Sequence, residues 1–238
     1  MKHFTMVFAV LTFSALIHAS EPKVIISPVN HLFVPNGFDN NDNVEVIVTG
    51  QFPSPCYITN KVDVVHKNDK ILITVTALQR ENAKSDLCEP MIIPFKEEIT
   101  VGNLQGGDYE IIVNEKSPYE QREKLNVAVS SSTSVDDHLY PIVEYIELGF
   151  TGGLSGDAVL HAKVPSDCLV FDRVDYLSNK KDTISILPIM KKVSSVCNEG
   201  NERIQIPVKF KLRSLSNKDV LIYVRSIEGK SANTIINR

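Results

Sequence analysis

The sequence predicts an all-β protein made of two tandem β-sandwich domains related by internal duplication, with one disulfide in each. Three observations carry that prediction. Apolar residues recur at every second position along most of the chain and seldom at helical spacing. The chain matches itself at an offset of 112 residues, the spacing between Cys56 and Cys168. Its four cysteines fall two to each copy, at corresponding places.

Length and composition agree with folded domains. The 238 residues exceed the common domain size of roughly 100–150. A hydrophobic content of 43% supplies a core for each half, and 23% charged residues cover the surface. The net charge of −4 is scattered along the chain. A nucleic-acid partner is not expected, because phosphate binding needs clustered cations.

Residues 1–20 open with Lys2 and His3, continue as an apolar run from Phe4 to Ile17, and end in His18-Ala19-Ser20. This reads as a secretory signal peptide, cut after Ala19 or Ser20. The run is shorter than the roughly 20 apolar residues of a span, and Thr5, Thr12 and Ser14 interrupt it. No membrane span is expected later in the chain, and the mature protein is expected to be secreted or periplasmic. None of the asparagines begins an Asn-x-Ser/Thr acceptor, which favours a bacterial origin.

The first sandwich is expected over residues 21–129. Its strands read at 44–49, 57–65, 71–78 and 109–113, rich in Val, Ile, Thr and Tyr. Residues 124–130 add a last strand, with Leu125, Val127 and Val129 alternating. Turns are marked by Pro35-Asn36-Gly37, Lys67-Asn68-Asp69 and Gln105-Gly106-Gly107-Asp108. A Ser-rich linker follows at 130–140.

The second sandwich is expected over 141–238, with strands at 158–163, 169–176, 183–189, 204–212 and 220–224. Between the copies, Pro53-Ser54-Pro55-Cys56 falls on Pro165-Ser166-Asp167-Cys168. Lys61-Val62-Asp63 falls on Arg173-Val174-Asp175, and Asp69, Ile71 and Ile73 fall on Asp182, Ile184 and Ile186. Cys88 answers Cys197, Pro94 answers Pro207, and residues 108–113 answer 219–224. A period of this length gives each copy its own core, like two beads on a string. About seven strands per copy, arranged as two packed sheets, resembles the immunoglobulin-like modules of many secreted bacterial proteins.

Only one of the three cysteine connectivities keeps each bridge inside a repeat, so Cys56 pairs with Cys88 and Cys168 with Cys197. An oxidising compartment suits such bridges. For metal ions, Asp39, Asn41 and Asn43 offer alternating side-chain oxygens that suit calcium. Asx turns that need no metal are the simpler reading of that loop. His31, His66, His138 and His161 stand apart from any metal-ligand spacing, and neither a nucleophile elbow nor a phosphate-cradling glycine loop occurs.

No cofactor is expected. The basic-Val-Asp motif marks either a repeated binding surface or a cross-strand charge ladder on the solvent face. The function expected is a non-catalytic binding or structural role toward another protein or a glycan. The alternatives are a secreted enzyme inhibitor that presents a loop, and a hydrolase whose triad assembles only in space.

Overall fold

The computed structural model describes residues 22–80, 88–133, 136–152, 155–212 and 215–237. The signal-peptide expectation at 1–20 therefore lies outside the described residues. The chain is all-β, with one short 3-10 turn at Ile227–Gly229 and no α-helix among the described residues.

The first half carries nine strands: β1 (Lys23–Ile26), β2 (Val29–Phe33), β3 (Phe38–Asp39), β4 (Val44–Phe52), β5 (Tyr57–Lys67), β6 (Lys70–Gln79), β7 (Ile93–Gly102), β8 (Gly107–Val113) and β9 (Gln121–Ala128). The second half carries seven: β10 (Ile142–Gly152), β11 (Ser155–Ser166), β12 (Leu169–Ser178), β13 (Thr183–Lys192), β14 (Glu199–Lys211), β15 (Asp219–Arg225) and β16 (Ser231–Asn237).

Four sheets result. Sheet 1 runs β5-β6-β8-β9, with β1 beside the end of β6 and β3 beside the end of β9. Sheet 2 is β2-β4-β7, sheet 3 is β12-β13-β15-β16, and sheet 4 is β10-β11-β14. The strand order of sheets 1 and 2 thus recurs in sheets 3 and 4.

Register recurs as well. Ile71 lies opposite Ile111, as Ile184 lies opposite Ile222. A β-bulge interrupts β2 between Val29 and His31, and another interrupts β10 between Val143 and Tyr145. The outer strands β5 and β12 are bulged between Thr59 and Lys61 and between Phe171 and Arg173. The disulfides Cys56–Cys88 and Cys168–Cys197 each tie the turn before the outer strand to the connection before β7 or β14.

Two expectations need correction. The β6/β8 and β13/β15 pairings are parallel, whereas immunoglobulin sheets are built from antiparallel neighbours. Between the paired strands the chain crosses to the other sheet and back, and two reversals restore its direction. The pairing of Pro94 with Pro207 also fails. Phe95 lies opposite Gly50, and Ile204 lies opposite Ala162, so Pro94 corresponds to Arg203. The register keeps the offset already set by Cys88 and Cys197, from which the Pro94–Pro207 match departs.

Alternation explains the cores. In β6, Ile71, Ile73, Val75 and Ala77 point inward, and Leu72, Thr74, Thr76 and Leu78 are only half-buried. Its counterpart β13 is buried continuously through Thr183–Met190, and β15 is buried from Val220 through Arg225. A strand reads this way when both faces of its sheet are covered.

The cover on the far side is the first sandwich. Ile184, Ile186, Val220, Ile222 and Val224 pack with Leu160, Ile206, Val208 and Phe210 of sheet 4. Leu221 and Tyr223 point the opposite way and belong to the same buried cluster as Phe33 and Ile47 on sheet 2. The four sheets therefore form one stack in the order 1, 2, 3, 4. The beads-on-a-string picture is replaced by sandwiches joined face to face. Burying these four side chains contributes at most about 1.5–3 kcal/mol each.

Residues 130–140 take part in the joint. Tyr140 is buried, Leu139 bridges Met190, and Asn41 Nδ2 donates to the Ser132 carbonyl at 2.6 Å.

Candidate functional site

The stacked faces are held by polar contacts around the apolar centre. Arg225, at the end of β15, pairs with Asp42 of the β3–β4 loop, and both side chains are almost completely buried. Asp136 approaches the same guanidinium at 3.3 Å, and the rings of Phe38 and Tyr140 lie 5.3 and 5.5 Å from it. Burial opposes the charge of Arg225, but the Asp42 carboxylate outweighs it and holds the guanidinium firmly protonated. Burial also pushes the Tyr140 phenol up to about 12.

At the other end of the joint, His31 Nε2 lies 2.9 Å from Asp182 Oδ2. Asn179, Asn217 and Thr183 also donate to that carboxylate. Burial alone would raise the Asp182 pKa, yet the donors led by His31 hold it below the usual range. Glu45 accepts from the Tyr223 and Ser231 hydroxyls, and Lys96 donates to Asn233.

The bulges build a pocket twice. In β2 and β10 the extra residue splays two successive side chains onto the outer face of the sheet. In the first sandwich the pocket is lined by Asn30, His31, Thr49, Gly50, Pro94, Phe95 and Lys96. In the second it is lined by Glu144, Tyr145, His161, Ala162, Arg203, Ile204 and Gln205. Strand registers put these residues in one-to-one correspondence. Each pocket has a volume of about 470 Å³.

Their surroundings differ. Asp219, Ile235 and Asn237 of sheet 3 line one side of the pocket of the first sandwich, while only sheet 4 residues line that of the second. In the open pocket, the Tyr145 and His161 rings stack with centroids 4.2 Å apart, and His161 Nε2 lies 2.7 Å from Glu147. Glu144 is 2.5 Å from Lys163 and 3.8 Å from Arg203. The hydrogen bond from Lys163 holds its carboxyl below the ordinary value. The result is an aromatic platform, more than half exposed at Tyr145, rimmed by charges of both signs.

A third concavity, of about 980 Å³, runs between β9 and the β12–β13 turn. Asp108, Glu110, Arg122 and Lys124 line one wall, and residues 178–181 line the other. Its charges are largely paired, as in Arg122 with Glu110 and Lys181 with Glu123.

Of the residues singled out in the sequence, Asp39, Asn41 and Asn43 lie on or next to the loop that carries Asp42. Asp39 Oδ1 accepts from the Asn41 backbone N–H at 2.9 Å, and the Asp42 carboxylate accepts from the Asp39 N–H at 2.8 Å. Burial raises the Asp39 pKa. Among the described residues, no group of three or more His, Cys, Asp or Glu side chains is placed to hold a metal ion.

The basic-Val-Asp motifs sit on the outermost strands β5 and β12. Their charges pair along the strand, Lys61 with Asp63 at 2.6 Å and Arg173 with Asp175 at 3.2 Å, on the solvent side. His66 Nε2 meets the Val101 carbonyl at 3.0 Å, and His138 packs edge-on to Tyr140. Sequence reasoning missed Tyr145, Glu144 and Arg203, and it read Arg225 as part of a polar hairpin at 225–233 and not as a buried ion-pair partner. The one visible signal was an arginine directly after the apolar run Val220–Val224, since a charge ending a buried strand needs a partner.

A family model described as the ORF11 beta-sandwich domain matches residues 46–126, from within β4 to within β9. No curated protein sequence matches the chain. No solved structure matches it.

Proposed function

We propose that this chain is an exported, non-catalytic docking module made of two sandwiches related by duplication, each a three-stranded sheet packed on a larger one. They are stacked into one rigid unit that holds another protein through the open bulge pocket of sheet 4. The observation that carries this reading is the repeated pocket. The same seven positions form a concavity in each sandwich, and in the first it is bordered by residues of sheet 3. A platform with stacked rings, flanking charges and a re-aimed bulge residue suits recognition by packing and complementary charge.

Export is supported by the signal-like first twenty residues and by two disulfides, which persist in oxidising compartments. A photo-reactive side chain at position 145 tests the reading in the native setting. A discrete protein adduct that disappears in Arg203→Glu is expected. No adduct, or binding only to a glycan panel, would contradict it.

A further inference from the structure

We infer that the partner of the open pocket is a second copy of this chain. Its sheet 1 would dock on sheet 4, so that copies join head to tail by repeating the joint between sheets 2 and 3. This rests on the reading of the open pocket as a docking site. The registers identify which residues would meet.

Asp219, Ile235 and Asn237 of sheet 3 line one side of the pocket of the first sandwich. Asp219 lies opposite Asn237 and Leu221 opposite Ile235, just as Asp108 lies opposite Asn126 and Glu110 opposite Lys124. The parallel pairings Thr183 to Leu221 and Lys70 to Glu110 fix the same alignment. Asp108, Lys124 and Asn126 are thus the counterparts of these three residues. All three are exposed, and Asn126 donates to Asp108 at 2.8 Å.

The substitutions between the two settings are complementary. Lys124 replaces Ile235, and on the receiving side Glu144 and Glu147 replace Asn30 and Phe33. Arg203 replaces Pro94, within reach of an incoming Asp108. The His31–Asp182 contact becomes Tyr145 facing Asp69, a phenol that can donate to a carboxylate. Where the internal joint has an apolar centre, both open faces carry charges of both signs, Asp108, Glu110, Arg122 and Lys124 on sheet 1 and Glu144, Glu147, Lys163 and Arg203 on sheet 4. That is the pattern of an interface between separate molecules that must stay soluble alone.

Because sheet 1 and sheet 4 are different surfaces, the contact is heterologous and extends as an open chain of copies. The internal joint is tethered by residues 130–140 and forms at an effective concentration on the order of mM. Untethered copies associate only at high concentration.

Sedimentation equilibrium from about 10 μM to about 1 mM at low salt tests this, since the tether sets the relevant range. The wild-type mass is expected to rise past that of a dimer without a plateau, and to fall when salt screens the charges. Lys124→Glu and Arg203→Glu, each confirmed as folded by its thermal midpoint, should both remain monomeric. Mixed together, they retain one intact pair of faces and should stop at a 1:1 dimer. A wild-type chain that stays monomeric throughout, or association that survives either variant, overturns the self-docking inference. An Arg203-dependent adduct from position 145 to a different protein would overturn it too, while leaving the docking-site reading intact.

Discussion

Arg225 of the second sandwich is buried against Asp42 of the first, with 3% and 2% of their side chains exposed. A charge so enclosed is costly to desolvate, and the fold offsets that cost with Asp42, Asp136 and two aromatic rings. Breaking the pair leaves an uncompensated buried charge. Arg225→Met should lower stability by about 3–5 kcal/mol, and adding Asp42→Leu should recover much of the loss. Urea denaturation of both variants measures this. Equal destabilisation by the single and double changes would mean that packing, not charge, holds this end of the joint.

The disulfides constrain the unfolded chain by closing sequence separations of 32 and 29 residues. Removing either by a Cys→Ala pair should cost about 3–4 kcal/mol on the chain-entropy model. Guanidinium unfolding with and without reductant reads the loss.

Gly37 sits at φ 95° where the β2–β3 loop meets the second sandwich, and a Cβ there would come within 2.6 Å of Leu177 Cδ1. Gly37→Ala therefore strains the backbone and presses on the joint. A loss of about 1–3 kcal/mol is expected. Hydrogen exchange should rise at Asn36, whose N–H donates to the Ser185 hydroxyl.

Acid should loosen the joint through Asp182. Its folded pKa is lowered, so its contribution is fully present above the unfolded value of about 3.9 and is lost as pH falls through the folded value. Asp137 acts in the same direction, because the Ser131 and Ser132 donors hold it down to about 2. Asp136 and Asp39 oppose this, since burial raises both. Asp182→Asn should flatten the fall in urea midpoint below about pH 4. An unchanged slope would assign the acid response elsewhere.

Much of this fold was legible in the sequence. Period-two alternation placed β4, β5, β6, β8, β9 and β11 to β15 but not β1, β2, β3, β7, β10 or β16, and matching Cys56, Cys88, Cys168 and Cys197 across the repeat indicated the bridges. The stacking was less accessible. Continuous burial of β13 appears in the sequence as Thr183-Ile184-Ser185-Ile186-Leu187, where Thr and Ser look like solvent-facing residues. They are buried because sheet 2 covers them, a tertiary fact that no local pattern encodes. The open pocket was hidden for a related reason. Glu144, Tyr145, His161 and Arg203 lie on three strands, and only the β10 bulge turns Glu144 and Tyr145 to the same side. The false match of Pro94 with Pro207 obscured Arg203 further.

Sheet 3 lies face to face on sheet 2 and makes the two sandwiches one body. Residual dipolar couplings of the full chain, with methyl and aromatic contacts recorded in the same sample, test it most directly. One alignment tensor should fit both sandwiches, and cross-peaks should join Tyr223 to Phe38, whose ring centroids are 6.0 Å apart. Two independent tensors and silence between those rings would contradict it.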